Sequence, residues 1–422
     1  MIKKIFIVAV FFMCSYSFAQ EGSVSPYSFY GIGDQRFKGL AENRMMGGIS
    51  VYTDSIHLNL QNPASLGKLK LTTFTAGASY NSLSLKTDES SENASDVTFD
   101  YLAIGIPLGN NLGMSFGVLP YTSVGYAVQS LDEDISPAQL SRYEGEGGLN
   151  KAYFSLGYNF LNNFSIGARG NFNFGKVENE SVKYTEGVQY GSRVQDNSEY
   201  SGFDFNFSLN YDADLTKNIG LKSSILYTPA TKITSSNSRT ISTLAGNSNG
   251  IDIPRVTEEV DLAALGLNST YLHLPESYGF GLGVGKKYTW FVGAEYEITN
   301  SSEFRNDFVN PVNGSYEDGE RFSAGAFWVP DYNTYASYWK RITYRIGLKN
   351  ERTGLVVNNV PVHDFGMSFG LGLPMNGFSN FNIGVEAGKR GSTYLGRVQD
   401  NYVNVFISLS LNDQWFRKNL IR

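Results

Sequence analysis

Phe203-Asp204-Phe205-Asn206-Phe207-Ser208-Leu209-Asn210-Tyr211-Asp212 sets an aromatic or aliphatic side chain at every second position and a polar one between. Successive side chains of a pleated strand point to opposite faces, so this segment has one greasy face and one wet face. The same beat recurs along the chain from about residue 70. Near the C-terminus Val403, Val405, Ile407, Leu409 and Leu411 alternate with Asn404, Ser408 and Ser410. Between these two stretches and before them, strands are expected on Phe74 to Tyr80, Leu102 to Leu108, Leu112 to Val118, Phe154 to Phe160, Phe164 to Phe174, Leu221 to Tyr227, Tyr278 to Val284, Trp290 to Tyr296, Phe322 to Trp328, Ile342 to Leu348, Phe365 to Leu371 and Phe381 to Ala387. The total is about fourteen, an even number as single-chain bacterial outer-membrane barrels have, with twelve or sixteen left open by an error of one hairpin.

The start of the chain points to the same compartment. Lys3 and Lys4 precede an apolar run from Ile5 to Met13, and Ser17-Phe18-Ala19 is a small-residue cleavage site, so residues 1–20 read as a secretory signal. The run is short of the roughly 20 apolar residues that a spanning helix needs. The single cysteine, Cys14, lies inside it, so the mature chain is expected to carry neither thiol nor lipid anchor. No later segment is continuously apolar over a spanning length. Every backbone polar group must be satisfied in lipid, which leaves a closed sheet as the way across. Aromatic residues make up 14% of the chain, with 27 Tyr and 29 Phe, and the mean hydropathy of -0.22 agrees with alternate residues facing a wet lumen. A net charge of -6 excludes a general nucleic-acid partner.

Connections are expected to alternate in length. Asn110-Asn111, Leu161-Asn162-Asn163, Thr216-Lys217-Asn218, Lys286-Lys287 and Asn376-Gly377 are tight turns after even-numbered strands, and long polar segments at 86–96, 128–149, 176–200, 229–275, 298–320, 349–363 and 389–400 follow odd-numbered ones. That order is the one expected of short periplasmic turns and long external loops, with both termini in the periplasm. The connection at 331–340 is long for a turn. Trp290, Trp328, Trp339 and Trp415 lie at strand ends, where amphipathic rings prefer the headgroup level.

Residues 21–68 lack the beat. They carry Met45-Met46-Gly47-Gly48, Asp54 and Asn62-Pro63-Ala64-Ser65-Leu66, and are expected to occupy the bore that a barrel of this width leaves. The run from Asn43 to Leu66, with Gly47, Gly48, Asp54 and the Asn62-Pro63-Ala64 triplet, resembles the N-terminal hatch of FadL-like outer-membrane transporters. Leu274-Pro275-Glu276-Ser277-Tyr278-Gly279 is similar to that family's opening of a later strand. The resemblance implies an all-β, 14-stranded antiparallel transmembrane barrel over residues 69–412, plugged by a hatch at 21–68, with a periplasmic tail at 413–422. It also implies passive uptake of small hydrophobic molecules, fatty acids or aromatic hydrocarbons, which leave sideways through a kink in the third strand. Gly117-Val118-Leu119-Pro120 lies in that strand, and proline cannot donate to a ladder, so Gly117 and Pro120 mark either a lateral gate or the simple end of pairing. Glu144-Gly145-Glu146-Gly147-Gly148-Leu149 and the basic run Arg417 to Arg422 depart from the pattern. They resemble a branch in which some relatives serve secretion or outer-membrane protein assembly complexes, so a non-transporting subunit with protein partners is the alternative.

Arg169, Asp204, Glu295, Arg341, Arg345 and Glu386 are expected to face the lumen, either pinning the hatch or offering arginine to a carboxylate headgroup. Val260 to Leu267 reads as a short apolar, helix-like stretch in the longest external segment, as a capture or docking surface or as its own packing. Catalysis finds no support: His57, His273 and His363 lie on different predicted elements, with no cysteine beside them to form a metal site or a nucleophile pair. No cofactor is called for; the expected partners are outer-membrane lipid and a small hydrophobic ligand.

Overall fold

The computed structural model describes residues 25–415, apart from 89, 110, 133–135, 162, 247–251, 310–313, 334 and 376. The expected signal segment, Cys14 and the run Arg417 to Arg422 lie outside the described residues.

Fourteen antiparallel strands follow one another around a ring, each hydrogen-bonded to the next in the chain. They are β1 Thr72–Lys86, β2 Ser91–Pro107, β3 Leu112–Pro120, β4 Gln139–Phe160, β5 Phe164–Thr185, β6 Gly191–Asp214, β7 Gly220–Thr228, β8 Ser277–Lys286, β9 Trp290–Thr299, β10 Gly319–Trp328, β11 Thr343–Val357, β12 Val360–Pro374, β13 Asn380–Arg390 and β14 Gln399–Asp413. Closure is made by β1 on β14, from Thr72↔Asp413 to Lys86↔Gln399. A closed ring has no exposed edge, which is what lets a sheet stand in hydrocarbon.

The period-two reading holds strand by strand. On β6, Phe203, Phe205, Phe207, Leu209 and Tyr211 are exposed outward while Asp204, Ser208 and Asn210 are buried inward. Phe154 and Leu156 on β4, Ile166 and Phe172 on β5, Phe280 and Leu282 on β8, and Phe365 and Phe369 on β12 extend the same apolar belt. The pairing at Leu221 is with Ala213. Inward aromatics interrupt the polar face at a few levels: Tyr101, Tyr153, Phe291, Phe327 and Phe406 are buried.

Several segments expected as external loops are instead ladder. β1 runs to Lys86 and β2 starts at Ser91; β5 runs to Thr185 and β6 starts at Gly191; β11 and β12 meet across Val357↔Val360. Within the longest connection, strand Thr231–Gly246 pairs with β6 from Thr234↔Ser201 to Leu244↔Gly191, and strands Asp252–Glu259 and Ser269–Leu274 pair with it in turn. Beyond the belt both faces of a strand are wet, so the hydrophobic alternation disappears while the backbone bonds continue. Val260 to Leu267 is a tight turn, not a helix, with Asp261 accepting from the Ala264 amide at 3.1 Å. Two further expectations fail at the long turn. Residues Tyr338–Arg341 form a short helix, so Arg341 stands outside the ladder with its guanidinium 5.6 Å from the Tyr338 ring, and Ile342, expected to face lipid, is fully buried.

Candidate functional site: the lumen segment and a break in the wall

The segment ahead of β1 lies inside the ring and is held by the inward polar residues of the wall. It contains a 3-10 turn at Pro26–Phe29, a two-residue strand at Asp34–Gln35, a helical turn at Ala41–Arg44 and a second 3-10 turn at Pro63–Lys68. Glu295 accepts from the Ser50 amide at 2.8 Å and from its hydroxyl at 2.7 Å. Arg44 donates to Glu386 at 2.8 Å, and Lys349 meets the other oxygen of that carboxylate at 3.0 Å. Asn382 donates to Glu42 at 2.8 Å, and Arg345 donates to Asn382 at 3.3 Å. Arg169 donates to the Leu60 carbonyl at 2.6 Å and stacks 4.2 Å from the Tyr153 ring. Asp204 serves the wall itself, accepting from Lys151 at 2.8 Å and Asn173 at 2.7 Å.

The two motifs singled out in this segment share one mode of contact. Gly47 and Gly48 adopt φ of +69° and +88° and turn the chain directly against the wall, where a Cβ on Gly347 would collide with the Gly47 amide. The Gly47 amide donates to the Ser368 hydroxyl at 3.1 Å. Asn62-Pro63-Ala64 repeats the arrangement on the opposite wall: Asn62 donates to Asn210 at 2.8 Å, the Ala64 amide donates to Ser208 at 2.7 Å, and Gly167 leaves no room for a Cβ against the Pro63–Ala64 backbone. Single inward glycines, Gly167 on β5, Gly325 on β10 and Gly347 on β11, were the available signal for this contact. Asp54 caps its own turn, accepting from the amides of Ile56 at 2.9 Å and His57 at 2.7 Å and from the His57 ring at 2.6 Å. Burial opposes ionisation of both groups, yet their mutual attraction and hydrogen bonding outweigh it, holding the Asp54 carboxyl at about 2 and raising the His57 imidazole above its usual value.

The wall ladder is incomplete at one place. β2 and β3 pair from Pro107↔Gly113 to Leu102↔Val118 and then part. β3 stays on β4 up to Pro120↔Asn150, and its continuation, Thr122–Asp132, stays on β4 from Val124↔Gly147 to Asp132↔Gln139. β2 continues from Tyr101 to Ser91 on β1, past a bulge that leaves Asp100 unpaired in the ladder. Pro120 has no amide hydrogen to offer a neighbour. Asn150 is its partner on β4, and a few residues away Gly147 and Gly148 take φ of +111° and +149°, so the Glu-Gly run lies where the pairing register shifts between Pro120↔Asn150 and Val124↔Gly147.

The lumen segment fills this break. Asp34 and Gln35 pair with Ser123 and Thr122, the Arg36 amide donates to the Tyr121 carbonyl at 2.9 Å, and the Arg36 guanidinium reaches across to Asp96 on β2 at 3.1 Å. A buried apolar cluster joins Ile32 of the lumen segment to Tyr121, Val124, Leu149 and Leu274, and another joins Leu40, Leu58 and Leu60 of the same segment to Tyr101 on β2, Leu119 on β3 and Tyr153 on β4. A cavity of about 430 Å³ runs from Asp96, Leu119 and Tyr121 into the lumen, where Glu295, Glu297, Arg321, Lys349 and Glu351 line it.

A closed 14-strand antiparallel wall with an occupied bore is the β-barrel fold of the FadL-like channels. The structure is similar to the Pseudomonas putida toluene transporter TodX (TM-score 0.59, 14% identity, 91% of this chain and 100% of that chain). It is also similar to the CymD monoaromatic hydrocarbon channel (TM-score 0.56, 14% identity, 92% and 99%) and to a Pseudomonas aeruginosa FadL homologue (TM-score 0.56, 10% identity, 92% and 100%). At such identities the likeness is one of fold. The family model described as BamG matches residues 1–422, and the chain belongs to that family. No curated protein matches it.

Proposed function

We propose that the chain is a channel for passive uptake of small hydrophobic molecules, fatty acids or aromatic hydrocarbons, whose lumen segment acts as a hatch. A ligand enters at the long-connection end and leaves sideways through the wall between Tyr101 and Thr122, beside Pro120 and Gly117, when the hatch shifts. The proposed orientation puts the short turns and both chain ends in the periplasm. One observation carries this reading: the lumen cavity reaches a break in the wall that is bridged by the lumen segment, with two apolar clusters packed between that segment and the strands around it. The barrel acts by passage and not by catalysis. The solved neighbours with this fold include proteins described as a toluene transporter and a monoaromatic hydrocarbon channel, which supports the choice of ligand class.

Gln35 and Thr122 are Cα partners, and facing positions of this kind lie about 4.5–5.5 Å apart, within disulfide reach. A Gln35→Cys, Thr122→Cys chain in liposomes should lose uptake of a labelled fatty acid or toluene when oxidised and regain it on reduction. Unchanged uptake in the oxidised state would reject the gate.

A second reading is favoured by the hatch contacts themselves. Ion pairs and buried hydrogen bonds pin the segment at Arg44, Ser50, Asn62 and Lys68, and charged side chains line much of the lumen. In that reading the hatch is a permanent cork, and the barrel is a non-transporting subunit of a secretion or outer-membrane protein assembly complex. Extraction in mild detergent separates the two: a stoichiometric protein partner supports the cork, whereas a hydrophobic ligand recovered from the lumen supports the channel.

A further inference from the structure

The short-turn rim of β8 to β11 differs from the rest of that end of the barrel. Register places Lys286 beside Trp290, Trp290 beside Trp328 and Trp328 beside Tyr344, one row across four adjacent strands. These residues share the outward face with Val284, Val292, Ala326 and Ile346, so the row stands where the apolar belt ends. Beyond it, Tyr288 stacks on Tyr332 with centroids 4.9 Å apart and carries the Lys287 ammonium 5.0 Å from its ring. The helix Tyr338–Arg341 is tied to β11 by the Tyr344 hydroxyl, which donates to the Trp339 carbonyl at 3.1 Å. Trp339 is 71% exposed, and the buried Nε of Arg341 has no hydrogen-bond partner among the described residues.

Charge is concentrated at the same place. Lys286, Lys287, Lys340 and Arg341 stand against a single acid, Asp331, whereas the other short turns contribute one cation, Lys217. Indole and phenol rings settle at the headgroup level, and basic residues beside them draw anionic lipid.

We propose that this rim is a binding site for an anionic phospholipid, with the phosphate held by Lys287, Lys340 and Arg341 and the acyl chains lying on the outward row above. The proposal rests on insertion of the barrel in a bilayer and is independent of what passes through the lumen.

The full chain, extracted in mild detergent and examined by native mass spectrometry, should retain phosphatidylglycerol in preference to phosphatidylethanolamine when offered both. Replacing Lys286, Lys287, Lys340 and Arg341 by Gln should reduce retained phosphatidylglycerol at least tenfold, while Lys217→Gln leaves it unchanged. Heat-modifiable electrophoretic mobility reports whether each variant is folded. If the fourfold variant fails that check, Lys340→Gln with Arg341→Gln, both outside the ladder, takes its place. Equal retention by wild type and variant, no preference in the wild type, or a protein occupant of the rim that the substitutions release would each overturn the assignment.

Discussion

Single side chains decide how firmly the lumen segment is held. Glu295 is 3% exposed and meets Ser50 twice, so Ser50→Ala leaves a buried carboxylate short of one donor and should cost about 1–3 kcal/mol, read as a lower urea midpoint for the mobility shift of the folded barrel. Gly347→Leu forces a side chain into the Gly47 backbone and should cost more than that, whereas the same change at Gly109, which has open space around it, should be tolerated. The Asp54–His57 turn carries a pH signature. Asp54 is depressed, so its contribution is present above the ordinary carboxylate value of about 3.9 and is lost as pH falls toward its own. His57 is raised, so its contribution is complete below about 6.5 and is lost as pH climbs through its elevated value. The protection of the Ile56 and His57 amides, measured as exchange relative to a free amide at the same pH, should therefore be greatest between about pH 4 and pH 6.5 and fall above it. Protection that stays constant to about pH 9 would show that the pair does not hold the turn. Inward carboxylates were legible in the sequence because they occupy the polar positions of an alternating strand. Their partners were not, since Ser50 and Glu295 are 245 positions apart.

At the level of the element, the informative feature is the parting of β2 from β3. A proline in an otherwise alternating strand announced a local defect, and the structure places it where pairing to β2 has ended and pairing to β4 persists. Pro120→Val restores an amide, but β2 has already left β3 by that level, and Gly147 and Gly148 keep their positive φ on the opposite strand. The expected outcome is a change of less than about 1 kcal/mol in stability, the size of one net backbone hydrogen bond, with the break in the ladder and uptake through it preserved. Loss of uptake in a stably folded variant would show that Pro120 itself keeps the wall open. The ladders beyond the apolar belt show the limit of periodicity. β5 and β6 continue for about ten residues past the belt with polar residues on both faces, so hydropathy sees a loop while the hydrogen-bond register runs on from Phe174↔Ser201 to Lys183↔Ser192.

For the molecule as a whole, the ring is expected to stand without its contents. Each wall strand bonds to its neighbours, so deletion of residues 25–68 should leave a heat-modifiable barrel while opening the bore, with planar-bilayer conductance rising from near zero to a stable ohmic level. A deletion chain that never folds would instead make the lumen segment part of the wall's own stability. Strand number and the facing of the belt residues were readable from a two-residue period, because a wall between lipid and water must alternate chemically at each step; the length of each connection was not, since ladders run on where the alternation stops. The course of the lumen segment was not. It crosses the bore to touch strands hundreds of positions away, and its contacts are glycine clearances and single hydrogen bonds that leave no periodic trace. Arg341 shows the same division: its charge is plain in the sequence, but a helix of four residues moved it from the expected lumen wall to the rim. Local chemistry along the chain thus specified a closed barrel, and three-dimensional packing specified what fills it and where its wall parts.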